Sequence, residues 1–441
     1  MKTLYNPASF SNHLAANSGN IMIFSSLDLA PEIQQALDAC GYKEMTAIQE
    51  MAIIPARRGK DILANAQTGT GKTAAYSLPI LQLMHDKPQA TLDGLTRTLI
   101  LAPTRELAEQ VAETINRYAQ FMSLSVVALY GGVKLSGQQQ KLKSPVNIIV
   151  STPGRLLEHA ELGNVNLSKV EFLVLDEADR MLDMGFIDEV TALLKKLPKK
   201  RQTLLYSATM SPEVKNLAHK LLKRHEVVSV AKQYAVADTV EHVVYPVAEQ
   251  QKAELFVELI EKHNWFKVLV FTSTKFQADT LKDKLKDAGI KSDLFHGDKS
   301  QGSRRRALAA FKQDKIQVLI ATEIAARGLD IQDLEHVVNY NLPYLAEDYV
   351  HRIGRTGRAG NKGQAISFVS REEERTLHSI EQLINAKIKR IKIPGYEVGS
   401  RDALFKNIES SHRPSRSNKA KQIKNIHKKS DNAKAAKKKR K

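Results

Sequence analysis

Cysteine is almost absent from this chain of 441 residues, in which Cys40 stands alone. A single cysteine cannot form a disulfide within the chain, and this usage is typical of a reducing compartment. Long apolar runs are also missing, because the longest, such as 172–175 and 268–271, have only the length of buried strands. We therefore expect no membrane span, no secretory leader in the polar residues 1–20 and a cytoplasmic location. The thirteen histidines show no metal-ligand spacing, which argues against a zinc site.

Acidic residues are scarce at the end of the sequence. Residues 411–441 hold thirteen Lys or Arg and one acid, so they contribute +12 of the net charge of +18. A segment with so few apolar residues cannot bury enough surface to offset its ordering entropy, and we predict that it is disordered. Its charge favours binding to a polyanion such as nucleic acid, and a solubilising tail is the alternative.

Apolar runs of strand length alternate with helical segments from about residue 60 onward. Runs buried on both faces are typical of parallel sheets covered by helices, which indicates an α/β fold. The alternation weakens between residues 230 and 238 and then resumes. We predict an N-terminal extension (1–23), a first α/β domain (24–231), a linker (232–240), a second α/β domain (241–395) and a basic disordered tail (396–441). One sequence does not decide whether the two domains share a fold.

A glycine-rich segment lies between a strand-like run and a helical segment. Glycines let backbone N–H groups approach phosphates, and the helix N-terminus adds positive potential. The pattern therefore predicts a loop that binds ATP, with Lys72 at the β- and γ-phosphates and Thr73 on Mg²⁺. The binding residues are Gln67, Thr68, Gly69, Thr70, Gly71, Lys72 and Thr73.

Carboxylates follow the apolar run 172–175 directly. A buried strand that ends in acids places them at the carboxyl edge of the sheet, where ligands bind. We expect Asp176 to hold Mg²⁺, partly through water, and Glu177 to orient and deprotonate the attacking water. An acidic helix cap is the alternative for Asp176.

The four residues 176–179, Asp-Glu-Ala-Asp, resemble the signature of the DEAD-box ATP-dependent RNA helicases. The compact core, the basic tail and residues 391–397 are similar to those of the bacterial RhlE-like subgroup of this family. This resemblance implies two tandem RecA-like domains. It also implies that Phe24 stacks on adenine and that Gln49 hydrogen-bonds the base, although Met45 and Ala47 replace the prolines that are common there.

The same resemblance assigns further roles across both domains. Arg355 and Arg358 are expected to act as arginine fingers on the γ-phosphate, and Asp330 is expected at the ATP ribose. The residues expected to couple ATP state to RNA are Ser207, Thr209 and His351. The expected RNA contacts are Pro103, Thr104, Arg105, Gly132, Thr152, Arg155, Gln301, Arg304 and Thr322.

The resemblance implies an ATP-dependent RNA helicase that hydrolyses ATP on RNA binding. Such an enzyme separates short RNA duplexes or remodels RNA–protein complexes, here in ribosome assembly or RNA turnover. The expected partner is RNA read with little sequence preference, together with ribosomal precursor particles or RNA-decay proteins, and no membrane. An ATP-gated RNA clamp uses the same residues and stays open as an alternative, as does a DNA translocase.

Overall fold

The computed structural model describes residues 22–66, 69–87, 95–230, 240–326, 331, 334–357 and 362–396. Each half of this part of the chain contains one seven-stranded, all-parallel sheet. The first sheet consists of β1 Ile62–Asn65, β2 Thr98–Leu101, β3 Val126–Leu129, β4 Ile148–Ser151, β5 Phe172–Leu175, β6 Gln202–Ser207 and β7 Glu226–Ser229. The second consists of β8 Val240–Pro246, β9 Val268–Thr272, β10 Ser292–Phe295, β11 Val318–Thr322, β12 His336–Asn339, β13 Gly363–Val369 and β14 Lys389–Arg390.

Helices connect the strands on both faces of each sheet. Those of the first domain are α1 Pro31–Ala39, α2 Ala47–Arg57, α3 Lys72–Asp86, α4 Arg105–Tyr118, α5 Leu135–Leu142, α6 Pro153–Glu161, α7 Ala178–Asp183, α8 Ile187–Lys196 and α9 Pro212–Leu221. Those of the second are α10 Lys252–His263, α11 Lys275–Asp287, α12 Gln301–Lys312, α13 Glu323–Ala326, α14 Ala346–Ile353 and α15 Glu374–Leu383. Short 3₁₀ helices lie at Phe24–Leu27, Glu249–Gln251 and Arg371–Glu373.

The two sheets have the same topology. The strand order is β3-β4-β2-β5-β6-β1-β7 in the first and β10-β11-β9-β12-β13-β8-β14 in the second. Raising each strand number of the first sheet by seven gives the second, so the halves repeat one RecA-like fold. This answers the question that the sequence left open. The predicted α/β class is confirmed.

Alternate strand residues supply the cores on the two sides of each sheet. In β2, Ile100 packs into one core, while Leu99 and Leu101 pack into the core on the opposite face. The second domain repeats this arrangement with Val270 and Leu269 of β9. Each fully buried side chain of this size contributes about 1.5–3 kcal/mol to the stability of the fold. Burial on both faces explains why these strands are continuously apolar.

The predicted domain limits stay predictions, although the sheets lie close to them. The last residue of the predicted linker, Val240, begins β8. At the other end, a core of the second domain is contacted by Ile391, Ile393 and Tyr396. The described contacts therefore reach the first residue of the predicted tail. The other predicted linker residues and residues 397–441 lie outside the described part of the chain.

Candidate active site and nucleic-acid interface

The glycine-rich loop connects the end of β1 to the start of α3. Gly69 and Gly71 have φ angles of +85° and +93°, in the region that glycine adopts at little cost. A Cβ atom on Gly71 would lie 2.3 Å from Nε2 of Gln49, so a side chain there would collide with its neighbour. The positive φ and this close neighbour together favour glycine at residue 71, immediately before α3. Gln67 and Thr68 of the predicted loop lie outside the described residues.

Gln49 of α2 holds this loop through hydrogen bonds. Its Oε1 accepts a hydrogen bond from the Thr46 backbone N–H at 2.8 Å, and its Nε2 donates to the Gly71 carbonyl at 3.1 Å. The Thr46 hydroxyl donates to the Thr70 carbonyl at 2.7 Å. A glutamine amide nitrogen has two N–H groups, so one remains for a base edge. The predicted contact of Gln49 with adenine stays a prediction.

Two aromatic rings lie in the segment that precedes α2. Phe24 is buried and stacks on Tyr42, with 6.2 Å between the ring centroids. Tyr42 is 40% exposed, whereas Phe24 is only 2% exposed. The accessible aromatic surface here therefore belongs to Tyr42, which the sequence analysis did not single out. Stacking of Phe24 on adenine stays a prediction.

Lys72 and Asp176 face each other in a buried position between the loop and the end of β5. Lys72 Nζ lies 3.7 Å from Asp176 Oδ1, both side chains are at most 6% exposed, and neither atom has a hydrogen-bond partner. The Tyr76 hydroxyl donates to the other carboxylate oxygen of Asp176 at 3.0 Å. Burial raises the pKa of Asp176 above its ordinary value, against the opposing effect of Lys72.

This pair fits a site for phosphate and a divalent cation. The unpartnered ammonium suits phosphate oxygens, and the unpartnered carboxylate oxygen suits Mg²⁺, which is usually held by one or two carboxylates together with substrate phosphates. In the described part of the chain, no three His, Cys, Asp or Glu residues cluster as a metal site. The donor set is therefore the kind that needs a phosphate ligand to complete it.

Glu177 adopts a left-handed backbone conformation between β5 and α7, with φ +53° and ψ +54°. Such a conformation costs a non-glycine residue on the order of 1–3 kcal/mol and persists only where the surroundings impose it. Its side chain is 5% exposed and borders a cavity of about 20 Å³. The turn therefore holds a carboxylate at the carboxyl edge of the sheet, where the sequence predicts the catalytic base.

The last residue of β6 and the segment that follows it contact the second aspartate of the motif, Asp179. Asp179 Oδ2 accepts hydrogen bonds from the backbone N–H and the hydroxyl of Thr209, at 3.0 and 3.1 Å. The Ser207 hydroxyl oxygen accepts from the Asp179 backbone N–H at 3.3 Å and donates to the Thr209 carbonyl at 2.8 Å. A movement of residues 207–209 is thereby linked to the acidic motif.

Contacts between the two domains surround the same acids. Arg180 lies 2.6 Å from Asp348 of α14, and both side chains are 7% exposed. Arg180 also contacts His351, which is the predicted link from the second domain to the acidic motif. Burial alone would lower the pKa of Arg180. Asp348 and other nearby acids outweigh this effect and raise the pKa above its ordinary value, so the guanidinium stays charged.

Arg355 belongs to the second domain and lies in the same small cavity as Glu177. The other residues that line it are Asp179, Arg180, Ala208, Phe271, Glu323, Ala326, His351 and Arg352. Arg352 has a structural role, since it hydrogen-bonds Asn339 at 3.0 Å and the Asn341 carbonyl at 2.7 Å. Arg355 is therefore the described arginine of this segment that faces the acids of the first domain.

A groove of about 870 Å³ runs across both domains. The N-termini of α4 and α6 open into it, and helix N-termini favour anions such as phosphate. Predicted RNA-binding residues that line it are Pro103, Thr104, Arg105, Thr152, Arg155, Arg304 and Thr322. Lys275, Met184 and Phe186 also line the groove, and the sequence analysis did not select them.

Gly132 and Gln301 lie near this groove without lining it. A Cβ on Gly132 would lie 1.9 Å from Nη1 of Arg105, so glycine at this position leaves space for the arginine. Gln301 and Arg304 of α12 both reach Glu106 of α4 across the domain boundary, at 3.2 and 2.8 Å. Two of the predicted RNA contacts therefore also hold the domains together.

Several predicted residues lie outside the described part of the chain: Gln67, Thr68, Asp330 and Arg358. Their roles stay predictions. No helix in the described ranges is long and apolar enough to cross a membrane.

Tyr76, Arg180 and Asp348 are site residues that the sequence analysis missed. Tyr76 lies four positions after Lys72 in α3, on the same face of the helix, and this spacing was a usable signal. The Arg180–Asp348 pair joins residues that are far apart in the sequence. Nothing in a single sequence identifies such a pair.

Comparisons with known proteins agree with this geometry. The family model described as DEAD/DEAH box helicase matches residues 46–217, and the model described as helicase conserved C-terminal domain matches residues 251–360. The ATP-dependent RNA helicase DbpA of Bacillus subtilis is 40% identical over 377 residues, which are 85% of this chain and 77% of that protein. The DEAD-box ATP-dependent RNA helicase CshA of Geobacillus kaustophilus is 39% identical over 371 residues, 84% of this chain and 78% of that protein.

Two solved structures are similar over nearly the same span. Dbp5 of S. cerevisiae, bound to RNA and ADP BeF3, is 30% identical with a TM-score of 0.75, covering 89% of this chain and 100% of that one. Mss116p, bound to single-stranded RNA and AMP-PNP, is 26% identical with a TM-score of 0.77, covering 90% of this chain and 84% of that one.

Proposed function

Since this chain belongs to the DEAD-box family of ATP-dependent RNA helicases, RNA-dependent ATPases built on two RecA-like domains, we propose that it opens RNA by closing its two domains over one strand. The observation that carries the proposal is that residues of both domains line the ATP site and also line the RNA groove. Glu177 and Arg355, from opposite domains, border one cavity, and the RNA groove is lined by both domains. ATP binding and RNA binding therefore both favour the closed arrangement.

We assign the phosphate chemistry to residues of the first domain. Lys72 binds the β- and γ-phosphates, and Thr73 with Asp176 would hold Mg²⁺ beside them. When bound, the cation neutralises charge on the phosphate oxygens. Tyr76 holds Asp176 in place by donating its hydroxyl to one carboxylate oxygen, and the other oxygen has no hydrogen-bond partner.

Hydrolysis in this proposal needs groups from both domains. Glu177 orients the attacking water and accepts its proton, and the fixed backbone turn holds the carboxylate in place. Arg355 neutralises the charge that develops on the transferred phosphoryl group, an effect worth about 10³–10⁵-fold in related phosphoryl-transfer enzymes. Arg358 is proposed as its partner, and Asp330 is proposed at the ribose. Closure is then a condition for fast hydrolysis.

RNA recognition is proposed to rest on the backbone of the strand. The groove offers two helix N-termini, hydroxyls and arginines, which suit phosphate oxygens and carry little sequence information. Arg155 Nη1 is buried at this wall without a hydrogen-bond partner, which supports a ligand at that position. We propose no base-specific contact. Sequence preference should accordingly be weak.

Strand separation tests this function directly. We expect ATP to separate a short RNA duplex by releasing one strand, and the strand retained on the protein to dissociate after hydrolysis. With a non-hydrolysable ATP analogue, the retained strand should stay bound. Long-lived retention without any release of the partner strand would instead favour the ATP-gated clamp.

A more specific proposal concerns the cellular role. The basic tail and the segment 391–397 support an RhlE-like subgroup, and RNA as substrate supports a role in ribosome assembly or RNA turnover in the cytoplasm. Ribosomal precursor particles and RNA-decay proteins are the proposed partners. Recovery of this protein with precursor ribosomal RNA from cell extract, and not with bulk RNA, would support ribosome assembly.

We propose that residues 411–441 bind RNA through charge alone. Deletion of these residues should weaken RNA affinity and flatten its dependence on salt, because each lost phosphate contact lowers the slope by roughly 0.7–0.9. Turnover at saturating RNA should change little. The measurement is RNA affinity at several salt concentrations, and an unchanged slope would assign the tail a solubilising role.

A further inference from the structure

A cavity of about 640 Å³ lies at the amino edge of the first sheet, opposite the edge that carries the ATP and RNA sites. Its polar walls come from the residues that precede β2, β5 and β6, and its mouth from the end of α3 and the segment after α8. Ligands of open α/β sheets normally bind at the carboxyl edge. A cavity lined in part by charged side chains at the amino edge therefore has no place in the reaction described above.

Strand register explains how two arginines come together here. Thr98 pairs with Phe172, and Phe172 pairs with Gln202, in three adjacent strands. The residues one position earlier are Arg97, Glu171 and Arg201, so they form a row along the edge. Glu171 therefore pairs with Arg97, and Arg201 follows one strand further along the row, where the charge of Asp61 acts on it.

Both guanidinium groups retain an unused donor. Arg97 is 6% exposed, and it donates through Nε to Glu171 at 2.5 Å and through Nη1 to the Lys87 carbonyl at 3.0 Å. Its Nη2 is buried and has no hydrogen-bond partner. Arg201 donates to the Pro198 carbonyl at 2.7 Å, while its Nε is buried without a partner. Unpaired buried donors on charged groups are costly, so a missing acceptor is indicated.

Three exposed lysines complete the cavity, namely Lys87, Lys169 and Lys200. The lining thus holds five cationic side chains and one acid, Glu171. Cations near helix C-termini also stabilise the helix dipole, which accounts for Lys87 at the end of α3. That effect does not account for Arg97 and Arg201, because both belong to strand ends.

We propose that this cavity is a second anion site that binds a phosphate group, independent of the ATP and RNA sites. Guanidinium donors in a fixed plane match the oxygens of phosphate. The exposed lysines at the mouth add positive charge, and a lysine ammonium can approach a phosphate from many directions. The phosphate comes either from a small phosphate anion or from the backbone of an RNA segment outside the groove. The chemistry of recognition is the same in both cases.

Calorimetric titration of the full-length protein with inorganic pyrophosphate tests this site. Lys72→Ala serves as the background, because it removes the competing phosphate site of the glycine-rich loop. Added to it, Lys169→Glu with Lys200→Glu reverses two exposed charges at the mouth and leaves the buried arginines in place. The matched control is Lys284→Glu with Lys286→Glu on the exposed side of α11. Binding by the basic tail is common to all these proteins.

We expect the mouth variant to bind pyrophosphate at one site about tenfold or more weakly, as the loss of charged hydrogen bonds implies, and the control to match the background. Displacement of this pyrophosphate by single-stranded RNA would identify the RNA backbone as the ligand, and simultaneous binding would identify a small phosphate anion. Equal pyrophosphate binding by all three proteins would overturn the proposal. So would binding of an acidic peptide at this site in preference to pyrophosphate. The mouth variant with Lys72 intact should retain RNA-stimulated hydrolysis, so this test is separate from that of the helicase reaction.

Discussion

Replacement of Glu177 with glutamine should lower RNA-stimulated ATP turnover by roughly 10²–10⁴-fold, the range typical of a lost general base. Glutamine has nearly the same shape as glutamate but cannot accept the proton of the attacking water. The backbone turn at residue 177 and the Lys72–Asp176 pair should be unaffected. Affinities for ATP and for RNA should therefore stay close to those of the unmodified protein.

The measurements are steady-state phosphate release and the equilibrium binding of a fluorescent ATP analogue. Glu161→Gln makes the same chemical change at an exposed position of the first domain and should have no effect. Normal turnover by Glu177→Gln would show that another group activates the water. Loss of ATP binding together with turnover would instead indicate damage to the site.

Replacement of Asp348 with asparagine should reduce the equilibrium constant for domain closure about 10²-fold. Removal of one partner from a buried ion pair costs about 3–5 kcal/mol, and asparagine keeps one hydrogen bond, so the lower end of this range applies. About 3 kcal/mol corresponds to two factors of ten in an equilibrium constant. We expect opening of the domains to separate Arg180 from Asp348 and expose both to water, so the cost falls on closure alone.

Energy transfer between fluorescent labels on the two domains measures closure with a non-hydrolysable ATP analogue and RNA. Asp183→Asn is the matched control, because Asp183 pairs with the same Arg180 at 3.3 Å within the first domain, so domain opening does not require this pair to separate. We expect closure to require more RNA in Asp348→Asn and to be unchanged in Asp183→Asn. An equal response of the two variants would remove the Arg180–Asp348 pair from the mechanism.

The strands that the sequence predicted best are the central ones. Residues 172–175 and 268–271 were predicted as strands; the first run coincides with β5 and the second forms all but the last residue of β9, because burial on both faces makes such strands continuously apolar. The sequence analysis did not single out β3, β7, β8, β10, β13 or β14, and four of these, β3, β7, β10 and β14, are the edge strands of the two sheets. Strand β7 is exposed except at Val228, so burial does not require a continuous apolar run there and the signal is weaker.

Local motifs predicted the chemistry of the site, while contacts between distant segments escaped the sequence analysis. The glycine-rich loop and the acids after β5 could be interpreted because each motif lies within eight residues or fewer. The pairing of Arg180 with Asp348 and that of Arg304 with Glu106 depend on how two domains meet. The amino-edge cavity depends in the same way on the register of three strands, which only the folded chain brings together.

Steady-state ATP hydrolysis by the purified protein, alone and with saturating single-stranded RNA or DNA, tests the central claim most directly. Lys72→Ala, which removes the phosphate-binding ammonium, supplies the background rate. Strong stimulation by RNA and weak stimulation by DNA is the predicted result. Equal stimulation by DNA, or no stimulation by either nucleic acid, would contradict an RNA-dependent ATPase.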